Sequence, residues 1–380
     1  MEAGMEAMVI GGGVAGPVAA IALRRIGWDV TVHEAYADPA GDVGSFVSLG
    51  DNGLRALDAI GCRDAVAARG TRLPLLRLRS GRGKLLGEAA RGRVTLMRGH
   101  LVETLRALAL ESGARIVTGR RLTGVGHGRT AVFADGTTAT ADLIVGADGI
   151  HSRLRTVIDP AAPAAHYAGL WTAGGRSPHP VDPDAFTITF GARATMVCAP
   201  TPAGTLWAAQ VPSPAPPTGP LDHAALAALF DADHGPAATL VRTTDHWHPR
   251  TVMQALPAGV PRWHRDGMVV LGDAAHPMGA GQGANLAVED AVVLARCLRD
   301  TPDMDTALTH YETLRRPRTT QMLKFAGANR DAKISGPVTA RIRDLTMPFF
   351  FRRFAAKSSA WMHDYDVEWN KASTLPPSST

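Results

Sequence analysis

The sequence predicts an α/β fold: a Rossmann-type dinucleotide-binding domain with an inserted, mainly β domain and C-terminal helices. Three observations predict it. Near the N-terminus a glycine-rich turn joins a short apolar run to an Ala- and Leu-rich helical segment. Two later apolar runs, Leu143-Ile144-Val145 and Met268-Val269-Val270-Leu271, also end in glycine, as buried parallel strands do. Between them, over residues 160–261, prolines become frequent, and residues 186–190 and 205–211 alternate as sheet strands do.

In chain order, Ala7-Met8-Val9-Ile10 reads as the first buried strand and residues 14–26 as a helix closed by Gly27. Val30-Thr31-Val32 follows as a strand running to Glu34, which completes one βαβ unit. A second α/β stretch starts at Thr95-Leu96. It continues as a helix through Leu101, Leu105 and Leu108 to Gly113, then as the strand Arg115-Ile116-Val117. Residues 130–142 alternate around Asp135-Gly136, a pair suited to a tight hairpin turn. After Leu271, helical spacing runs over residues 284–298 and on to about Arg343. The expected division is 1–70, 95–159 and 265–330 for the dinucleotide-binding domain and 71–94 with 160–264 for the β-sheet substrate domain. Residues 331–380 are left as a helical segment and tail, Ser-, Pro- and Thr-rich from Ser373.

A length of 380 residues suits two packed domains, and 45% hydrophobic with 20% charged residues is ordinary for a globular enzyme. The net charge of +5 and pI near 9.4 invite a nucleic-acid reading. Scattered arginines and few lysines argue against it, because nucleic-acid binders concentrate their charge. An anionic cofactor and a phosphate-bearing electron donor would favour the same mild basicity. Cys62, Cys198 and Cys297 contain no C-x-x-C pair, which points to a reducing cytoplasm without disulfides or a zinc site. The acidic N-terminus, with Glu2 and Glu6, does not read as a signal peptide, and no apolar stretch approaches the ~18 residues of a membrane span.

Three constellations carry chemistry. Gly11-Gly12-Gly13-Val14-Ala15-Gly16 is a G-x-G-x-x-G between strand and helix, where free N–H groups and the helix dipole favour a pyrophosphate. Glu34, ending the next strand, is placed to accept hydrogen bonds from a ribose diol. The second block, Gly146-Ala147-Asp148-Gly149-Ile150-His151-Ser152-Arg153-Leu154-Arg155, reads locally as an Asp-Gly turn opening a helix that Ser152 can cap. The third is Gly272-Asp273-Ala274-Ala275-His276-Pro277, followed by Gly281-Gln282-Gly283-Ala284-Asn285 and Glu289-Asp290. It is a strand ending in a carboxylate, a Gly-rich loop and a helix N-terminus able to stabilise negative charge.

In this order and spacing the blocks resemble the group A flavoprotein monooxygenases of the para-hydroxybenzoate hydroxylase fold. The salicylate hydroxylase, urate hydroxylase and zeaxanthin epoxidase branch is closest in length. The resemblance covers Met8 to about Arg318, and more weakly Trp361-Met362-His363-Asp364-Tyr365-Asp366. It implies FAD, with Gly11, Gly13, Val14, Ala15, Gly16, Glu34 and Ala35 on its ADP half and Arg98 reaching the phosphate and ribitol region. Asp148-Gly149 matches a motif linked to both FAD and NAD(P)H, Asp273 would contact the ribitol, and Gly281, Gly283, Ala284 and Asn285 would face the flavin. NADPH, or NADH, would be a transient donor, since only one dinucleotide fingerprint is present. Oxygen would add at the flavin C4a, and the hydroperoxide would deliver one atom to a small, apolar aromatic or polyene-like substrate, by hydroxylation or epoxidation. The loop at Met278-Gly279-Ala280 is shorter than in many relatives and lacks their proline.

No protein nucleophile is expected. Val47, Arg193, Trp207 and Met278 are the candidate substrate contacts, Trp207 being divided between pocket wall and ordinary core. Trp171, Trp247 and Trp263 fit an aromatic pocket or a sheet core equally. His276 reads better as a hydrogen-bonded structural residue than as a base. The aromatic and basic run from Met347 to Phe354 suits a cover over the chain's own core or a dimer contact better than a membrane surface. A flavin-dependent reductase or dehydrogenase of the same fold and a non-catalytic FAD-binding accessory protein stay open. So does monomer against homodimer. The arginine-rich, lysine-poor composition is associated with secondary metabolism in GC-rich bacteria.

Overall fold

The computed structural model describes residues 4–38, 45–256, 259–278, 281–334, 341–349, 351 and 360–372, with the side chains of residues 332 and 334 excepted. Six strands form the sheet that carries the glycine-rich turn. Their spatial order is His264–Arg265, Met268–Val270, Leu143–Gly146, Glu6–Ile10, Asp29–His33 and Arg115–Val117. All neighbours are parallel except the first pair, which is antiparallel. The three apolar runs lie side by side because each is buried on both faces and must be covered by helices. The covering helices are Ala15–Arg25, Arg98–Glu111 and Gly283–Asp300. Gly27, at φ 91°, ends the first of them, and Arg24 donates to the Trp28 carbonyl at 2.8 Å.

A second sheet has seven strands, in the order His246–Ala255, His166–Ser177, Gly204–Pro212, Thr195–Thr201, Ala185–Phe190, Leu75–Ser80 and Leu85–Ala89. Only the Ala185–Phe190 and Leu75–Ser80 pair is parallel. One face is covered by two short helices, His223–Ala228 and Ala237–Arg242, which the proline-rich composition did not announce. Strand alternation sends Met196, Cys198, Trp207, Ala209 and Val211 into that face, where they bury against Leu226, Phe230 and Leu240. The opposite face carries Val197, Ala199 and Leu206 and packs against Phe46 and Met97. Those two residues begin and end the paired strands Phe46–Gly50 and Arg93–Met97, so this second face meets the glycine-turn side of the molecule.

The hairpin around Asp135-Gly136 forms, with the Asp135 carboxylate accepting from the Thr137 N–H at 3.1 Å. The helix Gly283–Asp300 is sheathed on nearly every side, as its buried run from Asn285 to Leu298 shows. Each buried Val or Leu there contributes about 1.5–3 kcal/mol. The last long helix, Met304–Ile334, packs against it and also against the strands His166–Ser177 and Gly204–Pro212. The helical spacing expected to reach Arg343 is interrupted after Ile334, and a separate helix covers residues 341–349. Among the described residues no helix is long and apolar enough to cross a membrane. Residues 373–380, and most of the Met347–Phe354 run beyond Phe349, lie outside the described residues.

Candidate active site

The three sequence blocks are in direct contact. A Cβ added at Gly11, where φ is 105°, would stand 2.4 Å from the Ala147 carbonyl oxygen and 3.0 Å from the Asp148 nitrogen. At Gly16 it would stand 1.8 Å from the Gly11 carbonyl oxygen, so the turn closes only without side chains. Gly272, at φ 58°, sets the third block against the first, with an added Cβ 3.5 Å from that of Ala15. Arg155 ties the second block to the third: it donates to the Ala274 carbonyl at 3.0 Å and to the Ile150 carbonyl at 2.7 Å. Val14 and Ala15 stand at the start of the first helix, half-buried against the core.

Glu34 is buried and accepts from the Gly12 N–H at 2.5 Å and from the Tyr36 N–H at 3.0 Å. Half-buried Ala35 lies between them. Arg106, which sequence reasoning missed, donates to the Gly12 carbonyl at 2.7 Å and pairs with Glu34 at 3.6 Å. The nitrogen of that ion pair, Nη2, is buried and makes no hydrogen bond. Burial lowers the Arg106 pKa, against the pull of Glu34 and Asp38. Arg98 begins its helix directly after Met97, its N–H donates to the Ser45 carbonyl at 3.2 Å, and its guanidinium lies near Gly13.

Asp148 holds the following helix by accepting from the Arg153 and Leu154 N–H groups at 2.8 and 3.1 Å. Ser152 caps that helix by accepting from the Arg155 N–H at 2.9 Å. Gly149 sits at φ 75°, and the second Asp148 oxygen, Oδ1, is buried without a partner. Burial pushes the Asp148 carboxyl up, against its bonds from Ser152, Leu154 and Arg153. Asp273 reaches the surface of the site, yet the chain packed around its carboxyl likewise pushes it up, against the attraction of His276 and Arg98.

Gly281, at φ 121°, and Gln282 lead into the helix that starts at Gly283, and an added Cβ at Gly283 would meet the Asp273 carboxylate at 3.4 Å. Ala284 packs half-buried against the core beside Asn285. Asn285 locks the helix onto the neighbouring strand by accepting from the Gly50 N–H at 2.9 Å and donating to the Ser48 carbonyl at 3.3 Å. The short loop at Gly279-Ala280 lies outside the described residues.

Behind this helix lies a buried ionic cluster whose arginines carried no local signal. Glu289 accepts from Asn52 at 2.7 Å, from Arg315 at 2.8 Å, and from two Arg318 nitrogens at 2.7 Å each. Asp290 accepts from Arg315 at 2.7 Å, from the Gly272 N–H at 2.9 Å, and from His276. Burial alone would raise the Asp290 carboxyl, but His276 and Arg315 hold it well below the ordinary range. His276 is thus a buried partner of Asp290, beside Trp263.

The expected substrate contacts separate. Val47 lies half-buried on the strand opposite Leu96. Met278 is buried among Leu286, Met322 and Met362. Trp207 requires correction as a pocket wall. It is fully buried under the two short helices, with its indole N–H donating to Thr244 at 3.0 Å and its ring edge-on to Trp247. Arg193 requires correction as a strand residue, because it is exposed in the turn joining residues 185–190 to residues 195–201. Trp263 packs against Tyr311 as core.

A glycine turn at a helix start, a buried carboxylate beside it, and orphaned polar atoms on Arg106, Asp148 and Gln282 fit a large, polar dinucleotide. Fold and site therefore define a dinucleotide-binding protein of the α/β class. Residues 4–326 match the FAD binding domain family. Among similar proteins is 2-heptyl-3-hydroxy-4(1H)-quinolone synthase of Mycobacteroides abscessus, 31% identical, with 82% of this chain and 86% of that protein covered. Another is 3-amino-4-hydroxybenzoate 2-monooxygenase of Streptomyces cremeus, 34% identical over 84% of this chain and 85% of that one. The crystal structure of Klebsiella pneumoniae HpxO complexed with FAD and uric acid superposes with a TM-score of 0.82 at 26% identity, covering 95% and 96% of the two chains. The chain belongs to this family of FAD-dependent monooxygenases.

Proposed function

We propose that the protein is an NAD(P)H-consuming hydroxylase that inserts one oxygen atom from O2 into a small, largely apolar aromatic compound, in the cytoplasm and in secondary metabolism. The observation that carries this reading is the contact of three motif blocks at one site, with a dipolar helix start beside the Asp273 carboxylate. Similar proteins named for making a hydroxyquinolone and for oxygenating an aminohydroxybenzoate favour an aromatic over a polyene. FAD, when bound, would supply the redox chemistry that links the nicotinamide to O2.

The chain's own residues do the rest. The Gly11–Gly16 turn and Arg106 bind the pyrophosphate and ribose end, with Glu34 exchanging its Gly12 bond for a diol. Arg98, Asp148-Gly149 and Asp273 hold the middle of the cofactor. Gly281 to Asn285 would hold the ring end of the cofactor, where the N–H groups of the helix start favour negative charge. Residues 1–70, 95–159 and 265–330 supply this cofactor half, and residues 71–94 and 160–264 the sheet that shields the reaction from water.

The test is NADPH and NADH oxidation by the purified yellow protein with a panel of phenols, anilines and quinolones, under 18O2. Product gaining one labelled oxygen per nicotinamide supports the proposal. A bound flavin that no nicotinamide reduces, with or without ligand, overturns it in favour of an accessory role.

A further inference from the structure

Strand alternation settles which face of the seven-stranded sheet each side chain takes. Trp207 and Ala209 go under the two short helices, so Leu206, Ala208 and Gln210 point the other way. That way lies the cofactor half. A Cβ added at Gly174, which pairs with Ala208, would stand 3.4 Å from the hydroxyl of Ser45, and the Ser45 carbonyl accepts the Arg98 N–H. Gln210 lies two residues further along the same face, roughly 7 Å from Ala208. Its partners across the strands are Thr172 and Thr195. This makes a polar row on a face otherwise lined by Val197, Ala199 and Leu206.

Gln210 is only 5% exposed, and its amide oxygen, Oε1, has no hydrogen-bond partner. The long helix Met304–Ile334 packs against the strands His166–Ser177 and Gly204–Pro212. An orphaned buried acceptor costs free energy, which a hydrogen-bond donor on a ligand would relieve.

We propose that Gln210 is a specificity-determining residue of the monooxygenase, its side-chain oxygen accepting a hydrogen bond from a ring N–H or O–H of an aromatic substrate. The substrate is thus a donor-bearing ring, such as a 4(1H)-quinolone or an aminophenol, rather than a pure hydrocarbon or polyene. This deepens the monooxygenase reading and rests on it. A site built to pair with a donor rejects an analogue lacking it more strongly than an apolar pocket rejects an extra methyl.

The experiment titrates the oxidised FAD holoenzyme with matched probes and follows the flavin visible spectrum. The probes are a 2-alkyl-4(1H)-quinolone with its N-methyl derivative, and a 2-aminophenol with its N,N,O-trimethyl derivative. At least one N–H or O–H probe should bind, on the order of ten- to a hundredfold more tightly than its methylated partner. Gln210→Leu should erase that ratio, and Gln210→Glu, which keeps an acceptor, should restore part of it. FAD occupancy of both variants reports whether they fold. If no donor-bearing probe binds, or if Gln210→Leu weakens both members of a pair equally, the proposal is overturned. Because no turnover is read, intact N–H discrimination without oxygen transfer would count against the monooxygenase reading alone.

Discussion

Replacing Glu289 tests whether the buried ionic cluster is held by charge or by volume. Its carboxylate accepts four hydrogen bonds, one from Asn52, one from Arg315 and two from Arg318, and all of the charged groups are nearly inaccessible to water. With Asp290 the cluster is two carboxylates against two guanidiniums. Glu289→Ala leaves one buried positive charge in excess. Removing one partner of a buried pair costs about 3–5 kcal/mol. Unfolding entropy near 2.1 cal/mol/K per residue gives roughly 0.8 kcal/mol/K for a 380-residue chain, so the melting temperature should fall by about 4–6 °C. Glu289→Gln keeps the volume but turns an NH2 toward donors on Arg315 and Arg318. If charge and donor balance matter, Gln costs nearly as much as Ala; if packing matters, Gln is almost neutral. The assay is circular-dichroism melting of the holoenzyme, with the FAD dissociation constant from flavin fluorescence. FAD affinity should weaken too, because the same helix turn pins Gly50 through Asn285 and Gly272 through Asp290. A Gln variant melting within about 1 °C of wild type with unchanged FAD affinity would refute the reasoning.

Other outcomes follow from single groups. Gly16→Ala drives a Cβ into the Gly11 carbonyl and should yield protein without bound FAD, read as lost absorbance near 450 nm, whereas Gly124→Ala, with open space around it, should stay yellow. Burial, with help from Arg120 and Arg115, pushes His33 down to about 4, so the folded state resists a proton that the unfolded chain takes up near pH 6.5. Stability should therefore drop as pH falls from about 6.5 to 4, by at most about 3 kcal/mol, and His33→Phe should flatten that slope in urea titrations. Burial lowers Lys333 to about 8, so its cost is full below that pH and fades as pH rises toward 10.5. Lys333→Met should then stabilise the protein at pH 7 by about 2–3 kcal/mol and hardly at all at pH 10.5. Burial pushes Cys62 up to about 11 and Cys198 to about 12, so neither should react with a disulfide reagent until the protein unfolds.

The parts legible in the sequence are those whose physics is local. The G-x-G-x-x-G turn, the Asp135-Gly136 hairpin and the Ser152 cap each place their signal within a few residues of the structure they build. Trp207 misled because alternation says which residues share a face and not which face meets the cofactor. The two short helices, hidden in proline-rich sequence, decide that Trp207 is core and leave Gln210, of opposite parity, on the other face of the sheet. Arg193 misled by one turn, since the strand before it ends at Phe190. Arg106 sits one helix away from the glycines it braces, and no spacing rule joins them.

The ionic cluster shows why chain far from the motifs belongs to the site. Glu289 and Asp290 sit within the third block, but charges so deeply buried would be untenable without cationic partners. Those partners arrive from the next helix, and Arg318 passes the constraint on by donating to the Trp361 and Met362 carbonyls at 2.8 and 3.0 Å. Tyr365 caps Arg318 with its ring 3.9 Å away, and Arg55 donates to the Tyr365 carbonyl at 2.7 Å. The segment around Trp361 to Tyr365 therefore acts as a strap across the back of the helix whose N-terminus is proposed to meet the flavin. Truncating the chain before residue 360 would uncover Arg318 and loosen that helix, so it should lower FAD affinity without removing a single residue assigned to the cofactor.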